Sequence, residues 1–214
     1  GNVTHDVPSA ESAQAYYLDE QAESCLVEGN LAVNCYWPSH NHMARRNAIR
    51  NNVFLHDGDM VLTFPRCEEF AFERNVLCAG GGIRFKQFEA ITSFAANVLF
   101  SREDRVEAAG GKDYRSDEFA PLEPREGTIM ADPMFVDTEA GDFRCREGSP
   151  AAERDIEPWT LAVDAMRPPL TVHPGDNLRE VSERMLAESL REVPVLDDDG
   201  RIIGFLDEAE IAHT

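Results

Sequence analysis

Ala48-Ile-Arg-Asn-Asn52-Val-Phe-Leu55 (AIRNNVFL) is the stretch that determines the fold, because variants of it recur along the first half of the chain. Three other segments share its order of an apolar residue, two intervening residues, an Asn and a second apolar residue. The aligned residues are spaced by 22, 23 and 22 positions: Asn30, Asn52, Asn75 and Asn97. Self-similarity at such a short period indicates a repeat architecture.

The length of the repeat favours one kind of architecture. Short strands recurring every 22 residues, without a heptad or a long helical stripe, fit one coil of a parallel β-solenoid. An Asn at one register can form a ladder in which each side-chain amide bonds the neighbouring coils. Asn2-Val3 has the same pairing 28 residues before Asn30, which indicates an earlier coil. A leucine-rich horseshoe would need an L-x-x-L-x-L pattern, and the sequence lacks it.

The repeat fades into a polar stretch between Ser101 and Glu126. Residues 131–151 (ADPMFVDTEAGDFRCREGSPA) then predict two short strands around a turn at Glu139-Ala-Gly-Asp142. The repeats and this segment together resemble the C-terminal part of right-handed parallel β-helix proteins of the pectate-lyase-like group. Residues 1–155 carry this resemblance, which implies a mainly β fold and the chemistry of a glycoside hydrolase or a polysaccharide lyase.

The pattern changes after the solenoid region. A helical pattern at 178–190 follows Asn177, which opens a plausible capping box, and two strands within 193–206 form a hairpin. Asp207 is expected to cap a last helix. Met-x-Pro, Thr-Val-x-Pro, Val-Pro-Val, Asp-Gly and Gly-Phe-Leu motifs occur in this order. Residues 160–214 therefore resemble a single CBS domain, a small α/β unit that works in tandem pairs, so a second CBS unit is an expected partner.

Composition limits the partners of the chain. The 214 residues carry a net charge of −20, and such a surface repels nucleic-acid phosphate, so we expect no nucleic-acid partner. No run of about 18 apolar residues occurs, so no membrane span is expected. The five Cys residues lack a CxxC spacing, which predicts reduced, buried thiols rather than a zinc site.

Candidate catalytic residues lie at equivalent places in two successive coils. Asp19 and Glu20 are followed one repeat later by His40 and His42, with Arg45 close behind. Neighbouring strands lie about 4.8 Å apart, so these groups are expected on one wall of the solenoid. In a hydrolase one carboxyl group protonates the leaving oxygen, whereas in a lyase a base removes a proton next to a uronate carboxylate.

Candidate substrate-binding residues surround this wall. Tyr17, Tyr36 and Trp37 could stack on the rings of a polysaccharide or oligosaccharide, and His5, one coil earlier, could add to the same side. Two alternatives stay open for the wall. The polar groups could be solvated turn residues, or His40, His42 and Asp19 could hold a metal, although no metal is our leading expectation.

The CBS resemblance implies a ligand of its own. Carbohydrate chemistry requires no cofactor here, but an adenosine nucleotide is the ligand type that this family implies. The matching positions are Pro194, Val195, Gly204, Asp207 and Glu210. Asp207 departs from the hydroxyl residue expected near phosphate, and its charge would repel phosphate. The unit could instead serve only in dimerisation.

The leading hypothesis is a carbohydrate-active solenoid enzyme with an appended CBS module. The alternative is a binding or regulatory protein without catalysis, whose wall is an adhesion surface. Parallel β-helix enzymes are usually exported and CBS domains are usually cytoplasmic, so the sequence leaves the location open. The chain begins at Gly1 without Met, and we expect either a piece of a longer protein or an unnatural join.

Overall fold

A computed structural model describes residues 2–7, 13–111, 118–138, 140–154, 156, 172–187, 192–197 and 202–207. The chain divides into two compact units, residues 1–165 and 166–214. Each unit has its own apolar core. No helix in the described ranges is long and apolar enough to cross a membrane.

The first unit is a parallel β-solenoid, as the repeat predicts. Its strands are, in chain order, β1 (Val3–His5), β2 (Tyr16–Leu18), β3 (Leu26–Glu28), β4 (Leu31–Val33), β5 (Ser39–Asn41), β6 (Ala48–Arg50), β7 (Val53–His56), β8 (Met60–Thr63), β9 (Phe70–Glu73), β10 (Val76–Ala79), β11 (Ile83–Lys86), β12 (Ile91–Ala95), β13 (Val98–Ser101), β14 (Val106–Ala109), β15 (Ala120–Pro121) and β16 (Ile129–Met130).

Three sheets run along the solenoid. Sheet 1 has the order β1-β4-β7-β10-β13-β16, sheet 2 has the order β15-β14-β11-β8-β5-β2, and sheet 3 has the order β12-β9-β6-β3. All pairings are parallel except that of β15, which lies antiparallel to β14. The repeat thus continues through β14 inside the stretch that the sequence presents as polar. The right hand of the solenoid stays a prediction, which the usual hand of parallel crossovers favours.

The core lies inside the coils. Each sheet contributes one inward row of side chains at successive coils. In sheet 3 this row consists of the partly buried Val27 and the buried Ile49, Phe72 and Phe94. Phe72 stacks on Phe94 at 5.7 Å, and Phe85 of sheet 2 meets Phe72 edge-on at 5.6 Å. Contact between identical registers explains why the sequence repeats apolar residues at a fixed interval.

The Asn ladder forms at the corner between sheets 3 and 1. The main-chain N–H and the side-chain amide of Asn52 donate to Oδ1 of Asn75 at 3.1 and 3.0 Å, and Asn75 donates in the same way to Asn97. Asn97 donates to the hydroxyl of Thr128, which donates back to the carbonyl of Phe94 and so ends the ladder. The residue before each Asn has a positive φ, which turns the chain sharply at this corner.

A hairpin covers the outer face of sheet 1. Strands β17 (Phe135–Asp137) and β18 (Asp142–Cys145) pair antiparallel, which confirms the predicted two-strand segment. Phe143, Ala151 and Ile156 pack on a row made of the residue that comes directly after each ladder Asn in the sequence. That row faces outward and is nevertheless buried: Leu31, Val53, Val76 and Val98.

The second unit has the predicted helix and hairpin. Helix α1 (Leu178–Ala187) begins after Asn177, whose Oδ1 accepts the N–H of Arg179 at 3.0 Å. Strands β19 (Glu192–Leu196) and β20 (Ile202–Asp207) pair antiparallel. The small core contains Val172, Val181, Met185 and Val193. The predicted last helix lies outside the described residues.

Candidate functional site

One outward-facing row on sheet 2 collects polar groups from four coils. Tyr17 pairs in register with His40, His40 with Thr63, and Thr63 with Lys86. The side chains on either side of each row member point into the core, because residues alternate along a strand. The row therefore places a phenol, an imidazole, a hydroxyl and an ammonium group along the solenoid axis.

A groove lies beside this row. Its volume is about 520 Å³, which is within the usual range of ligand sites. We call it the aromatic groove, and it is lined by Tyr36, Trp37, His40, Val61, Thr63, Pro65, Arg84, Lys86, Gln87 and Phe119. Trp37 stacks on His40 at 5.9 Å, and Tyr36 stacks on Trp37 at 6.2 Å. One wall of the groove is thus aromatic and continuous with the imidazole.

A clamped guanidinium group lines the same groove two coils further along sheet 2. Arg84 contacts Asp59 and Glu107, each at 3.2 Å, so two carboxylates fix its orientation. Its Cζ lies 5.5 Å from the centre of the Phe119 ring, and Nζ of Lys86 lies 5.8 Å from the same ring. Asp59 and Glu107 do not line the groove. The groove lining, within the described residues, therefore has two cations and no carboxylate.

His40 is the one imidazole in the groove lining. Its Nδ1 contacts the hydroxyl of Thr63, and the Tyr17 ring lies 4.9 Å from its other side. Burial lowers the pKa of His40, and the nearby His42 lowers it further. A neutral imidazole held between aromatic rings can donate one hydrogen bond and accept another.

A second polar cluster adjoins the row at Tyr17. Nδ1 of His42 lies 3.2 Å from Oδ1 of Asp19. The N–H of Glu20, the hydroxyl of Tyr17 and the ring of His42 all bond Asp19 and lower its pKa. This carboxylate orients His42 and leaves Nε2 of that ring available, which is the arrangement that a general base needs.

The structure brings some of the predicted site residues together and separates others. Tyr17, Asp19, His40 and His42 join into one patch with Tyr36 and Trp37. Glu20 follows Asp19 and is exposed. Arg45 lies at the next corner, where its guanidinium pairs with Glu23 at 3.1 Å. His5 belongs to sheet 1, not sheet 2, so it does not share the side of the predicted wall.

Sequence reasoning missed Thr63, Arg84, Lys86 and Phe119. Tyr17, His40, Thr63 and Lys86 are each 23 residues apart, so the period itself could have assigned the whole row. Phe119 comes just before an antiparallel strand that departs from the repeat, and no periodic signal marks it. No group of three or more potential metal ligands occurs among the described residues, His40, His42 and Asp19 included.

The predicted nucleotide positions of the second unit lie on its hairpin. Pro194 and Val195 are half-buried in β19, and Val195 pairs with Gly204 of β20. A Cβ added at Gly204 would meet no atom of the described residues within 4 Å. Asp207 ends β20, and Glu210 lies outside the described residues.

Comparisons with known proteins inform only the second unit. No curated protein and no solved structure matched the chain. A family model did match, over residues 162–214. These C-terminal residues form a CBS domain, which follows a parallel β-solenoid in this chain.

Proposed function

We propose that the solenoid binds a saccharide along the outer face of sheet 2, in the aromatic groove. The observation that carries this proposal is that stacked Tyr36 and Trp37 line the same groove as Arg84, Lys86 and Phe119. Aromatic rings offer flat apolar faces to a sugar ring, and the fixed donors suit its hydroxyl or carboxylate oxygens.

The lining chemistry favours binding over two-carboxylate hydrolysis. A glycosidase of that type needs two carboxyl groups flanking the scissile bond. The described lining has none, and Asp59 and Glu107 are engaged by Arg84. A groove with cations and a neutral imidazole instead suits a saccharide that carries acceptor oxygens, including a uronate.

Calorimetric titration with trigalacturonate, cellotriose and maltotriose tests this proposal. We expect at least one trisaccharide to bind, and we expect Trp37→Ala and Phe119→Ala each to weaken it about tenfold, which corresponds to about 1.4 kcal/mol. Met130→Ala is the control, because Met130 is exposed and belongs to sheet 1. Absence of binding by all three trisaccharides, or equal loss in the control, would contradict the proposal.

Catalysis at the edge of this groove is a second candidate function. The favouring observation is the Asp19–His42 contact at 3.2 Å beside Tyr17, which orients an imidazole as a base. Such a base could abstract the proton next to a uronate carboxylate, with a cation stabilising the enolate. Glu20 and Arg45 remain candidates for this chemistry from the sequence alone.

A polysaccharide panel separates catalysis from binding. Reducing ends report hydrolysis, and ultraviolet absorbance of unsaturated uronates reports elimination. If the site is catalytic, Asp19→Asn should lower the rate by about 10²-fold or more, whereas Glu147→Gln, which changes an exposed carboxylate outside the groove lining, should not. Lack of both signals in the wild-type chain would eliminate the enzyme candidate and leave the binding proposal standing.

The CBS domain is proposed to bind an adenosine nucleotide at the hairpin, with dimerisation through a second CBS unit as the alternative. Support comes from the family match and from the absence of any atom of the described residues within 4 Å of a Cβ added at Gly204. Because the charge of Asp207 would repel phosphate, adenosine or AMP should bind more tightly than ATP, and Asp207→Thr should reverse that order. Titration with the three ligands checks this. Failure of all of them to bind would leave dimerisation.

A further inference from the structure

A second groove, lined by other residues, lies between sheet 1 and the β17–β18 hairpin. Its volume is about 590 Å³. We call it the hairpin groove. Its floor is an outward-facing row of four coils in register: Val33, Leu55, Cys78 and Phe100. Phe135 and Phe143 of the hairpin add an aromatic wall.

The floor of this groove is unusual for a solenoid surface. The neighbouring outward row, which begins at Leu31, is buried under Phe143 of the hairpin, Ala151 and Ile156. The floor row is covered only in part, since Val33, Cys78 and Phe100 keep intermediate exposure. A groove of this size with an apolar floor and a polar rim has the form of a ligand site.

The rim of the hairpin groove carries a basic and an acidic side chain that do not form an ion pair with each other. Arg102 and Asp57 both line the groove, and neither side chain forms a hydrogen bond or an ion pair within the described part of the chain. The other two rim carboxylates are engaged. Asp6 accepts from Asn34 at 2.9 Å and contacts His5, and Asp132 accepts the N–H of Met134 at 2.7 Å.

The ring of His56 adds a hydrogen-bonding group. Its Nδ1 accepts the N–H of Gly58, with 2.9 Å between the two nitrogens, which leaves Nε2 as the donor atom of the ring. His56 lines the groove beside Asp57. The rim therefore offers a carboxylate for a cation, a guanidinium group for an anion and a further N–H donor.

We propose that the hairpin groove binds a free α-amino acid with an apolar side chain, its ammonium group at Asp57, its carboxylate at Arg102 and its side chain on the Val33–Phe100 floor. A zwitterion is the ligand class that uses both unpaired charges at once. A simple amine would leave Arg102 without a partner, and a simple carboxylic acid would meet a rim whose carboxylates outnumber its cations. This site is separate from the aromatic groove and does not depend on saccharide binding.

Three ligands with the same phenyl group test the proposal on the full chain by calorimetry: L-phenylalanine, 2-phenylethylamine and 3-phenylpropionate. We expect L-phenylalanine to bind at least about tenfold more tightly than either analogue, because each analogue loses one charge contact. Arg102→Gln should weaken L-phenylalanine and 3-phenylpropionate but not the amine. Asp57→Asn should weaken L-phenylalanine and 2-phenylethylamine but not the acid.

Two control variants test whether L-phenylalanine binds in the hairpin groove. Glu147→Gln removes an exposed charge that does not line the groove, and Trp37→Ala alters the other groove, so neither should change L-phenylalanine binding.

Alkylation of Cys78 by iodoacetamide, followed by peptide mass spectrometry, should slow when L-phenylalanine is bound, while Cys25 reacts unchanged. Burial raises the pKa of Cys78 to about 11, so the labelling is run at pH 9.

The outcomes decide the proposal directly. Selective loss in the two charge variants, with protection of Cys78, supports it. Equal binding of all three ligands, equal effects of Arg102→Gln and Asp57→Asn on every ligand, or an unprotected Cys78 would overturn it. No measurable binding of L-phenylalanine at millimolar concentration would overturn it as well. Both variants change exposed side chains, and circular dichroism checks that they fold.

Discussion

Sheets 1 and 2 share the same coils and differ in what their outward residues meet. On sheet 1 the residue after each Asn of the ladder is apolar, and the hairpin buries this row together with Ala151 and Ile156. On sheet 2 the row from Tyr17 to Lys86 is polar or aromatic, and it borders the aromatic groove. The inward residues of both sheets pack into one apolar cluster, so the core does not distinguish the two faces.

This contrast shows that inward and outward positions of the same coil have different roles. A solenoid needs only its inward residues and its corners to stack coils. Outward positions are then free either to bind another part of the chain or to form a site. Sheet 1 mostly does the first and sheet 2 the second, and the hairpin groove lies where the cover on sheet 1 is incomplete. Substitutions on the two faces should therefore affect different measurements.

The largest expected effect is on the covered face. Phe143→Ala removes a ring that is 2% exposed and leaves a cavity between the hairpin and sheet 1. We expect the free energy of unfolding to fall by about 3–5 kcal/mol, measured by denaturant titration. Val136→Ala, on the exposed side of the same hairpin, should cost less than about 0.5 kcal/mol. Similar costs for both would mean that the hairpin does not stabilise the solenoid.

The next effect concerns the Asn ladder, which links the coils that sheets 1 and 2 share. Asn75→Ala removes an amide that donates to Asn97 and to the carbonyl of Ile49 and accepts two bonds from Asn52. The loss leaves buried polar groups unpaired and should cost about 3 kcal/mol. Asn2→Ala, at the exposed end of the same ladder, should cost less than about 1 kcal/mol because water replaces its bonds. Equal losses of unfolding free energy in the two variants would mean that burial does not determine how much the ladder hydrogen bonds stabilise the solenoid.

How far the sequence predicts this molecule depends on what each residue contacts. Asn52 and Ile49 contact their own equivalents in the next coil, so their roles appear as a period and could be predicted. Val53 also repeats, but its burial depends on the hairpin, a segment outside the period. The sequence therefore indicates that Val53 is buried without indicating what buries it.

The candidate site follows the same rule. Tyr17, His40 and the neighbouring Trp37 could be predicted because they belong to coils. Arg84 acquires its role from two carboxylates on other coils, and Phe119 from a strand that runs against the repeat. Glu107 is in register with Arg84 and follows it by one 23-residue repeat, so the period could have indicated that pair. Asp59 and Phe119 lie out of register with Arg84, so their contacts with it leave no regular spacing in the sequence.

Substitutions in the aromatic groove, on the outer face of sheet 2, should change ligand affinity more than the free energy of unfolding. Trp37→Ala removes half of the stacked aromatic wall, and we expect about tenfold weaker binding of the trisaccharide that the wild-type chain prefers. Its free energy of unfolding should fall by less than half of the loss in Phe143→Ala. Calorimetry and denaturant titration on the same preparation measure both. A stability loss as large as that of Phe143→Ala would remove the distinction between the two faces.

The smallest effect is the pH dependence that His40 of sheet 2 contributes. Burial lowers the pKa of His40 below its ordinary value of 6.5, so the unfolded chain binds a proton more readily than the folded chain. The stability that neutral His40 contributes is present above pH 6.5 and is lost as the pH falls through the folded pKa. The Asp19 carboxylate, whose pKa is below 3.8, acts in a separate and lower window.

NMR titration of the His40 ring, together with unfolding at pH 7 and pH 5, checks this dependence. The stability difference between the two pH values should shrink in His40→Gln. Thr63→Val should leave the pKa of His40 low, because burial is the main cause and the hydroxyl contact is not. His42→Gln should raise it part of the way, since His42 is the second cause. A normal pKa in the wild-type chain would mean that the imidazole is solvated and the aromatic groove more open than its stacked rings indicate.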